Sequence, residues 1–295
     1  MNKLIKVLRL FICSLLAIIL YTLIIITHIV FDSSKFLKKD YIINALKEVD
    51  FIETNTDTSI NTNNVEIKIL FDEVYTSANE IGISSSDVDK FINSDAVKEF
   101  MGSYMETITT YLATGEEITI TKEELKKLTD YSVDDLLTKT DQKIDTETKK
   151  KILTIIDEQA DQIISDLPKP SEIVTDIDQN TLKTINFIFS IELKIILIVS
   201  IVSITGLIAL LLWHPFRFIK WFSISNTIAS TFIIGLSFVI SPIINWSLEG
   251  ESSVILDIIM SFINQFESSL LISGIIGLII SIILYVIYVL LKKKN

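Results

Sequence analysis

The chain alternates between long apolar runs and longer amphipathic stretches. Four of the apolar runs carry no Asp, Glu, Lys or Arg over roughly the 20 residues that a helix needs to cross the apolar core of a bilayer, which is about 30 Å thick. They predict four transmembrane helices, spans one to four, at residues 10–31, 195–213, 221–246 and about 269–291. Between spans one and two, apolar residues recur at helical spacing. The pattern predicts an all-α polytopic membrane protein with an extracytoplasmic helical domain between the first two spans.

This pattern divides the chain into three parts. Residues 1–31 form a short N-terminal segment and span one, residues 32–186 form the helical domain, and residues 187–295 form a membrane domain with a short C-terminus. Lys3, Lys6 and Arg9 precede span one, as in signal peptides and signal anchors. A cleaved signal peptide has an apolar core of roughly 7–15 residues followed by small residues. The longer run found here predicts a retained signal anchor.

The helical domain carries several local signals for helix ends. Apolar positions predict a first helix over residues 36–52, and a run of Thr and Asn at 54–64 predicts a loop. Residues 65–81 fit a helix, although their start also fits a short strand. Ser94 is placed to cap a helix at 95–113, and Gly115 follows it where a left-handed residue is commonly needed.

The second half of the domain continues in the same way. Thr121 with Glu124 forms a capping-box pair, and Ser132 with Asp135 imitates another. A helix is predicted at 146–167, stopped by the prolines that follow it. From residue 171 to 213 the pattern fits either one continuous helix or a helix with a break before span two.

The charges are distributed very unevenly along the chain. The eight basic residues near the termini and in the loop between spans two and three have no acidic neighbours there, while all 37 acidic residues fall in the remaining segments. Cytoplasmic loops of membrane proteins are enriched in Lys and Arg. Both termini are therefore predicted to be cytoplasmic, and the helical domain, with 33 acidic and 18 basic residues over 32–194, is predicted to lie outside.

The amino-acid composition also indicates an integral membrane protein. A mean hydropathy of +0.49 is high for a soluble protein of this length. Ile, Asn and Lys are abundant, which is typical of proteins from AT-rich genomes and favours a bacterial plasma membrane. The single cysteine, Cys13, excludes an intrachain disulfide, so the helical domain has to be held by packing. The predicted partners are the lipid bilayer and a membrane protein or a second copy of this chain; nucleic acid is not among them.

Two polar stripes mark the membrane domain. In lipid, helices associate through close backbone approach and interhelical hydrogen bonds. Small residues at i+4 spacing in span four predict a packing face, and hydroxyl residues on one face of span three fit either packing or a conduction pathway. The packing face consists of Ser269, Ser273, Gly277 and Ser281, and the hydroxyl stripe of Thr227, Ser230, Ser237 and Ser241.

Conduction pathways usually place an ionisable group inside the membrane, and none is expected in the middle of the four spans. Packing is therefore the favoured interpretation of the hydroxyl stripe. Glu192 and Lys194 interrupt the apolar pattern before span two and are the candidate charges at the membrane boundary. Residues 254–266 fit either an interfacial helix or the first turns of a longer fourth helix.

No motif for catalysis is found. The two histidines, His28 and His214, are expected near opposite membrane faces, and no metalloprotease, nucleophile-elbow or phosphate-binding signature occurs. No cofactor is predicted. The leading hypothesis is a non-enzymatic membrane protein whose helical domain binds a partner or senses the envelope environment. The alternative is an oligomeric channel or transporter subunit that uses the hydroxyl stripe of span three.

Overall fold

The computed structural model is helical in every element that it describes. It describes residues 3–52, 75–76, 84–139, 150, 154, 158, 160–162, 164–175, 177–212, 216–248 and 253–294. In chain order the helices are α1 (Lys3–Ser33), α2 (Lys39–Lys47), α3 (Ser85–Ile92), α4 (Asp95–Thr114), α5 (Lys122–Lys139), α6 (Pro170–Ile173), α7 (Gln179–Phe189), α8 (Ile191–Leu212), α9 (Arg217–Ser237), α10 (Ile240–Ser247) and α11 (Ser253–Lys294), with a 3-10 turn at Ser34–Leu37.

The chain forms two compact units. The membrane unit comprises Met1–Lys35, Thr184–Glu249 and Ile263–Asn295, and the helical unit comprises Phe36–Lys183 and Gly250–Phe262. Four helical stretches among the described residues are long and apolar enough to cross a membrane: Val7–Leu37, Ile191–Leu212, Arg217–Ser247 and Leu256–Lys293. The all-helical class and the four candidate spans agree with the sequence prediction.

Apolar packing joins three helices of the membrane unit. Leu20 and Ile24 of α1 pack with Ile208 of α8 and Ala229 of α9, and all four side chains are buried. Other large apolar side chains point outward; Leu210 is 73% exposed and Val202 is 65% exposed. Apolar groups on the outside are stable in lipid, because the acyl chains are as apolar as the side chains themselves.

Span three is interrupted rather than being one helix from 221 to 246. α9 ends at Ser237 and α10 begins at Ile240, with Phe238 and Val239 between them. Pro242 explains the interruption, because proline lacks an N–H and its ring clashes with the carbonyl four residues earlier. The Glu267 carboxylate accepts a hydrogen bond of 2.6 Å from the Ser241 N–H and so satisfies a donor at the start of α10.

The two open questions about helix continuity have opposite answers. Residues 171–213 are not one helix, because α6 ends at Ile173 and α7 and α8 are separated at Ser190, whose hydroxyl accepts the N–H of Leu193 as a helix cap. In contrast, α11 runs without interruption from Ser253, so residues 254–266 are the first turns of the fourth helix.

The helical unit confirms most of the predicted caps. Ser94 accepts the N–H of Val97 at the start of α4, and Gly115 follows the end of α4 with a φ of 75°. The Thr121 hydroxyl accepts the N–H of Glu124, whose carboxylate accepts the N–H of Thr121, so this capping box starts α5.

Two predicted helix boundaries in this unit are wrong. The first helix was expected to extend over 36–52, but α2 ends at Lys47 and the chain turns before Val49. The pair Ser132 and Asp135 does not start a helix, because α5 continues through both positions with no glycine or proline to stop it. The loop at 54–64 lies outside the described residues, as does the segment 65–81 apart from Tyr75 and Thr76, which are helical.

The core of the helical unit gathers apolar side chains from α2, α3, the turn after α2 and the start of α11. Gly102 of α4 packs closely on Ile43 of α2: a Cβ at this position would stand 2.5 Å from the Ile43 Cγ1. The Ser261 hydroxyl of α11 donates to the Ala45 carbonyl at 2.5 Å. The buried apolar residues of this core are Ile42, Leu46, Val49, Phe51, Ile52, Tyr75, Val88 and Ile92.

Candidate functional site: a buried polar seam

A carboxylate is buried at the end of α1 in the membrane unit. Asp32 is 3% exposed. Its Oδ1 accepts a hydrogen bond of 2.9 Å from the Ser269 hydroxyl, and its Oδ2 accepts one of 2.7 Å from the Ser273 hydroxyl. Both serines belong to α11. The carboxylate therefore ties the first helix to the last by two charge-assisted hydrogen bonds.

The counter-ion of this carboxylate comes from the turn that follows α1. The Lys35 ammonium lies 2.7 Å from the Asp32 Oδ1 and also donates to the Ser269 hydroxyl. The two partners differ in burial, since the Lys35 side chain is 41% exposed and that of Asp32 is 4% exposed. The carboxylate is thus fixed inside the unit, whereas the ammonium reaches it from a more open position.

A second polar contact lies farther along α11, at Gly277. A Cβ at Gly277 would stand 3.3 Å from the Ser230 Cβ and 3.6 Å from the His28 Nε2, so α9 and α1 both approach this glycine. The Ser230 hydroxyl is fully buried and makes no hydrogen bond with the described residues. A buried hydroxyl without a partner is uncommon in proteins and costs about 1–3 kcal/mol.

The third contact joins α9 to α11 through an amide. The Asn226 Nδ2 donates to the Gly277 carbonyl at 2.8 Å and to the Ser281 hydroxyl at 2.7 Å. The Ser223 hydroxyl donates to the Ser281 carbonyl at 2.8 Å. Asn226 is 7% exposed and Ser281 is 1% exposed. These bonds are interhelical, buried and mutually satisfied, which is the arrangement that holds polar helices together in lipid.

Together these contacts form one feature, here called the polar seam. Its α11 side runs from Ser269 to Ser281, which at 1.5 Å per residue is about 18 Å. The seam consists of His28 and Asp32 on α1, Ser223, Asn226 and Ser230 on α9, and Ser269, Ser273, Gly277 and Ser281 on α11.

The predicted packing face of span four lies entirely in this seam. Its first two members, Ser269 and Ser273, bind Asp32, while Gly277 and Ser281 contact α9. The face therefore has two different partners, a carboxylate at one end and an asparagine at the other.

The predicted hydroxyl stripe of span three is not brought together in the same way. Ser230 alone enters the seam. Thr227 is exposed and donates to the Ser223 carbonyl, while Ser237 is buried and donates to the Ile234 carbonyl. Ser241 lies in α10, where its hydroxyl is 3.3 Å from the Asn264 Oδ1.

The predicted boundary charges stand apart from the seam. Glu192 is exposed in the first turn of α8, and Lys194, two residues later, is half-buried. The sequence analysis did not identify His28 and Asp32 as seam residues or Lys35 as the counter-ion of Asp32, and it ended span one at Phe31, before both Asp32 and Lys35. The spacing held a signal: positions 28, 32 and 35 fall on one helical face at the end of an apolar run.

The helical unit has a cleft of about 400 Å³. The Tyr104 hydroxyl donates to the Pro168 carbonyl across it at 2.7 Å. Burial, with the nearby Glu172 carboxylate, raises the pKa of Tyr104, so this phenol stays protonated and remains a donor. The lining mixes apolar and polar side chains: Tyr104, Thr107, Ile118, Thr119, Ile120, Asp161, Ile164, Ser165, Leu167, Pro168, Lys169 and Pro170.

An ion pair fixes α2 to the start of α5 in the same unit. Lys39 binds Glu124, which is also the capping residue of α5. Burial acts to raise the pKa of Glu124, but hydrogen bonds from Lys39, Thr121 and Ser103 outweigh it and hold this pKa at about 2. Burial raises the pKa of the neighbouring Glu106.

The fold and the seam define a membrane-embedded, all-helical protein with a second compact helical unit. Among the residues that the structure describes, no group of three or more His, Cys, Asp or Glu side chains is placed to hold a metal ion. Comparison with known proteins adds no family: no family model, curated protein or solved structure matches the chain.

Proposed function

We propose that the protein is a non-enzymatic membrane protein whose helical unit lies outside the cytoplasm and binds a partner protein. The observation that carries this proposal is the cleft of about 400 Å³ in the helical unit. Clefts of this size with a mixed apolar and polar lining are typical of sites that hold a small ligand, and a side chain of a partner protein is a group of that size. Ile118, which lines the cleft, is 39% exposed and offers an apolar contact to a partner.

The hydrogen bonds between helices of the membrane unit support the same proposal. The interhelical bonds of Asn226 and Ser223 are directed at backbone and side-chain groups of α11. They stabilise a helix bundle, which is the function of an anchor. Because only short basic segments are predicted on the cytoplasmic side, we propose that a signal passes through a separate membrane protein that the helical unit contacts.

Site-specific photo-crosslinking in intact cells tests the binding function. A photoreactive amino acid at Ile118 is expected to yield one defined adduct, identified by mass spectrometry. The matched control is Asn44, which is exposed on α2 and does not line the cleft. Ile118→Asp is expected to abolish co-purification of that same protein in mild detergent, and Asn44→Asp to preserve it. Equal adducts from both positions, or none, would contradict the proposal.

The second candidate function is an oligomeric channel or transporter subunit. The observation that favours it is the presence of His28 and Asp32 in the seam, because ionisable side chains inside membrane proteins commonly mark ion pathways. Ion flux in proteoliposomes tests it. A conduction path along the third span predicts that Ser230→Ala and Ser237→Ala lower the flux, while Ser268→Ala, an exposed position on α11, does not. Absence of flux from the intact protein would remove this candidate.

A further inference from the structure

Two side chains, one on α1 and one in the turn that follows it, are placed to neutralise the Asp32 carboxylate. Lys35 lies three residues after Asp32 and is bound to it. His28 lies four residues before it, and residues four apart are neighbours on a helix surface. A buried carboxylate is neutralised by one cation nearby. A second cation in the same site would leave a net positive charge uncompensated. The two cations are thus alternatives.

The surroundings of His28 contain a free acceptor. Its Nε2 and the Ser230 hydroxyl both face Gly277, and this hydroxyl is buried without a partner among the described residues. A protonated imidazole has two N–H donors, whereas a neutral one has a single donor. A protonated His28 donates from both nitrogens, so it can donate to the Ser230 hydroxyl whichever nitrogen carries the proton of the neutral ring, directly or through one water molecule.

We propose that His28 is a proton-binding site inside the membrane unit, and that its proton replaces Lys35 as the counter-ion of Asp32. The proton comes from water and remains on the imidazole, so no other bond forms or breaks. At neutral to alkaline pH the Lys35 ammonium pairs with Asp32. In acid, the His28 imidazolium compensates Asp32 and Lys35 is released toward solvent, where 41% of its side chain already lies.

Few other charged groups face this site. They are Asp32 on α1 and Lys35 in the turn after it, while Arg9 is 19 residues before His28, or about 28 Å along the helix. α9 presents Ser230 and Asn226, and α11 presents serines and Gly277. The other charges of the unit's described helices are placed as follows: Glu267 is bound to Ser241, Glu192 and Lys194 are at the start of α8, Arg217 and Lys220 are at the start of α9, and Lys3, Lys6 and Lys292 to Lys294 are at the two ends of the chain.

The first experiment removes Lys35 and asks whether acid replaces it. Full-length Lys35→Met in detergent is expected to unfold several degrees below the wild type at about pH 8, and to recover most of this difference at about pH 5, the range over which histidine gains its charge. In Lys35→Met with His28→Gln the deficit is expected to persist at both values. Recovery without His28, or no recovery with it, would overturn the proposal.

A second measurement needs no destabilised variant. The chain has two histidines, so His28→Gln identifies the His28 signal in an NMR spectrum of histidine-labelled protein. This signal is expected to titrate as the sample is acidified. Over the same range, acylation of Lys35 relative to the exposed Lys38 is expected to rise several-fold in acid, and to stay constant in His28→Gln. A His28 signal that does not titrate would refute proton binding.

The role of Ser230 separates proton binding from simple packing. Ser230→Ala removes a buried hydroxyl that has no partner, so packing alone predicts unchanged or higher stability at every pH. If the Ser230 hydroxyl is instead the acceptor for protonated His28, Ser230→Ala is expected to reduce the recovery of stability of Lys35→Met in acid by about half or more. Ser237→Ala is the matched control, because that hydroxyl is buried but bonded to its own helix. Equal recovery in both would exclude Ser230 from the site.

Discussion

The Asp32 carboxylate binds two serine hydroxyls and the Lys35 ammonium. Removing Asp32 and removing Lys35 leave different groups without a partner. Without Asp32, the Lys35 ammonium turns toward solvent and keeps its hydration. Without Lys35, the carboxylate stays buried, because two serine hydroxyls of α11 still donate to it. The energetic consequences of removing the two partners are therefore unequal.

The first prediction follows from this inequality. At neutral pH, Lys35→Met is expected to lower the free energy of unfolding by about 3–5 kcal/mol, since it leaves a buried charge uncompensated. Asp32→Asn is expected to lower it by only about 1 kcal/mol, because the amide oxygen still accepts one serine. Reversible unfolding of the full chain in mixed micelles measures both. Equal losses would show that Asp32 is hydrated.

The pair of Lys39 and Glu124 gives a prediction about pH. The pKa of Glu124 in the folded protein is held at about 2, below its ordinary value of 4.5. A depressed carboxyl pKa contributes stability above the ordinary value, and this contribution disappears as pH falls toward about 2. Glu124→Gln is therefore expected to cost about 1 kcal/mol near neutral pH, as expected for a partly exposed ion pair, and progressively less in acid.

Thermal unfolding of the full chain at a series of pH values measures this difference. Glu123→Gln is the control, because Glu123 is exposed and precedes Glu124 in the same turn. A cost of Glu124→Gln that stays constant down to about pH 3 would contradict the assigned pKa.

At the scale of helices, contact between α9 and α11 depends on one glycine. Gly277→Ala is expected to destabilise the protein by about 1–3 kcal/mol, because the added methyl group would collide with the Ser230 hydroxyl. Gly206→Ala on α8 is the matched control: nothing lies within 4 Å of its Cβ position. There the change is expected to be neutral or slightly stabilising, through helix propensity. Thermal unfolding in detergent compares the two, and equal effects would argue against close packing at Gly277.

The sequence predicted where helices begin more reliably than where they are interrupted. Ser94 and Gly115 act through their own backbone neighbours, so local chemistry was sufficient to predict both ends of α4. The interruption at Phe238 and Val239 depends on Pro242 and also on Glu267, which satisfies the freed N–H from another helix. Glu267 is 26 residues from Ser241, so no local sequence pattern indicates that the two residues are bonded.

At the scale of the whole molecule, orientation remains a prediction from charge alone. In a Cys13→Ala background, an impermeant maleimide is expected to label Lys126→Cys in intact cells, because Lys126 is exposed in the helical unit. Lys293→Cys, in the basic C-terminal segment, is expected to react only after the membrane is permeabilised. Labelling of Lys293→Cys in intact cells would reverse the assigned orientation and remove the basis for an external helical unit.

The sequence alone predicted only part of the polar seam. The serines of α11 were identified by their spacing, since small residues at i+4 form one helix face. Their charged partner was not identified, because Asp32 follows the apolar run directly and resembles the first residue of a soluble segment. Burial distinguishes these alternatives, and burial depends on α11, which lies more than 200 residues later.

The distance in sequence between Asp32 and Ser269 also affects how the protein is made. They are 237 residues apart. At 5–20 residues per second, translation needs roughly 10–50 s to reach the second partner after the first has entered the membrane. During that interval the nascent first helix carries a carboxylate without its serines, and the adjacent lysine is its neutralising group. The same lysine therefore protects the newly inserted helix before the bundle that will hold its carboxylate exists.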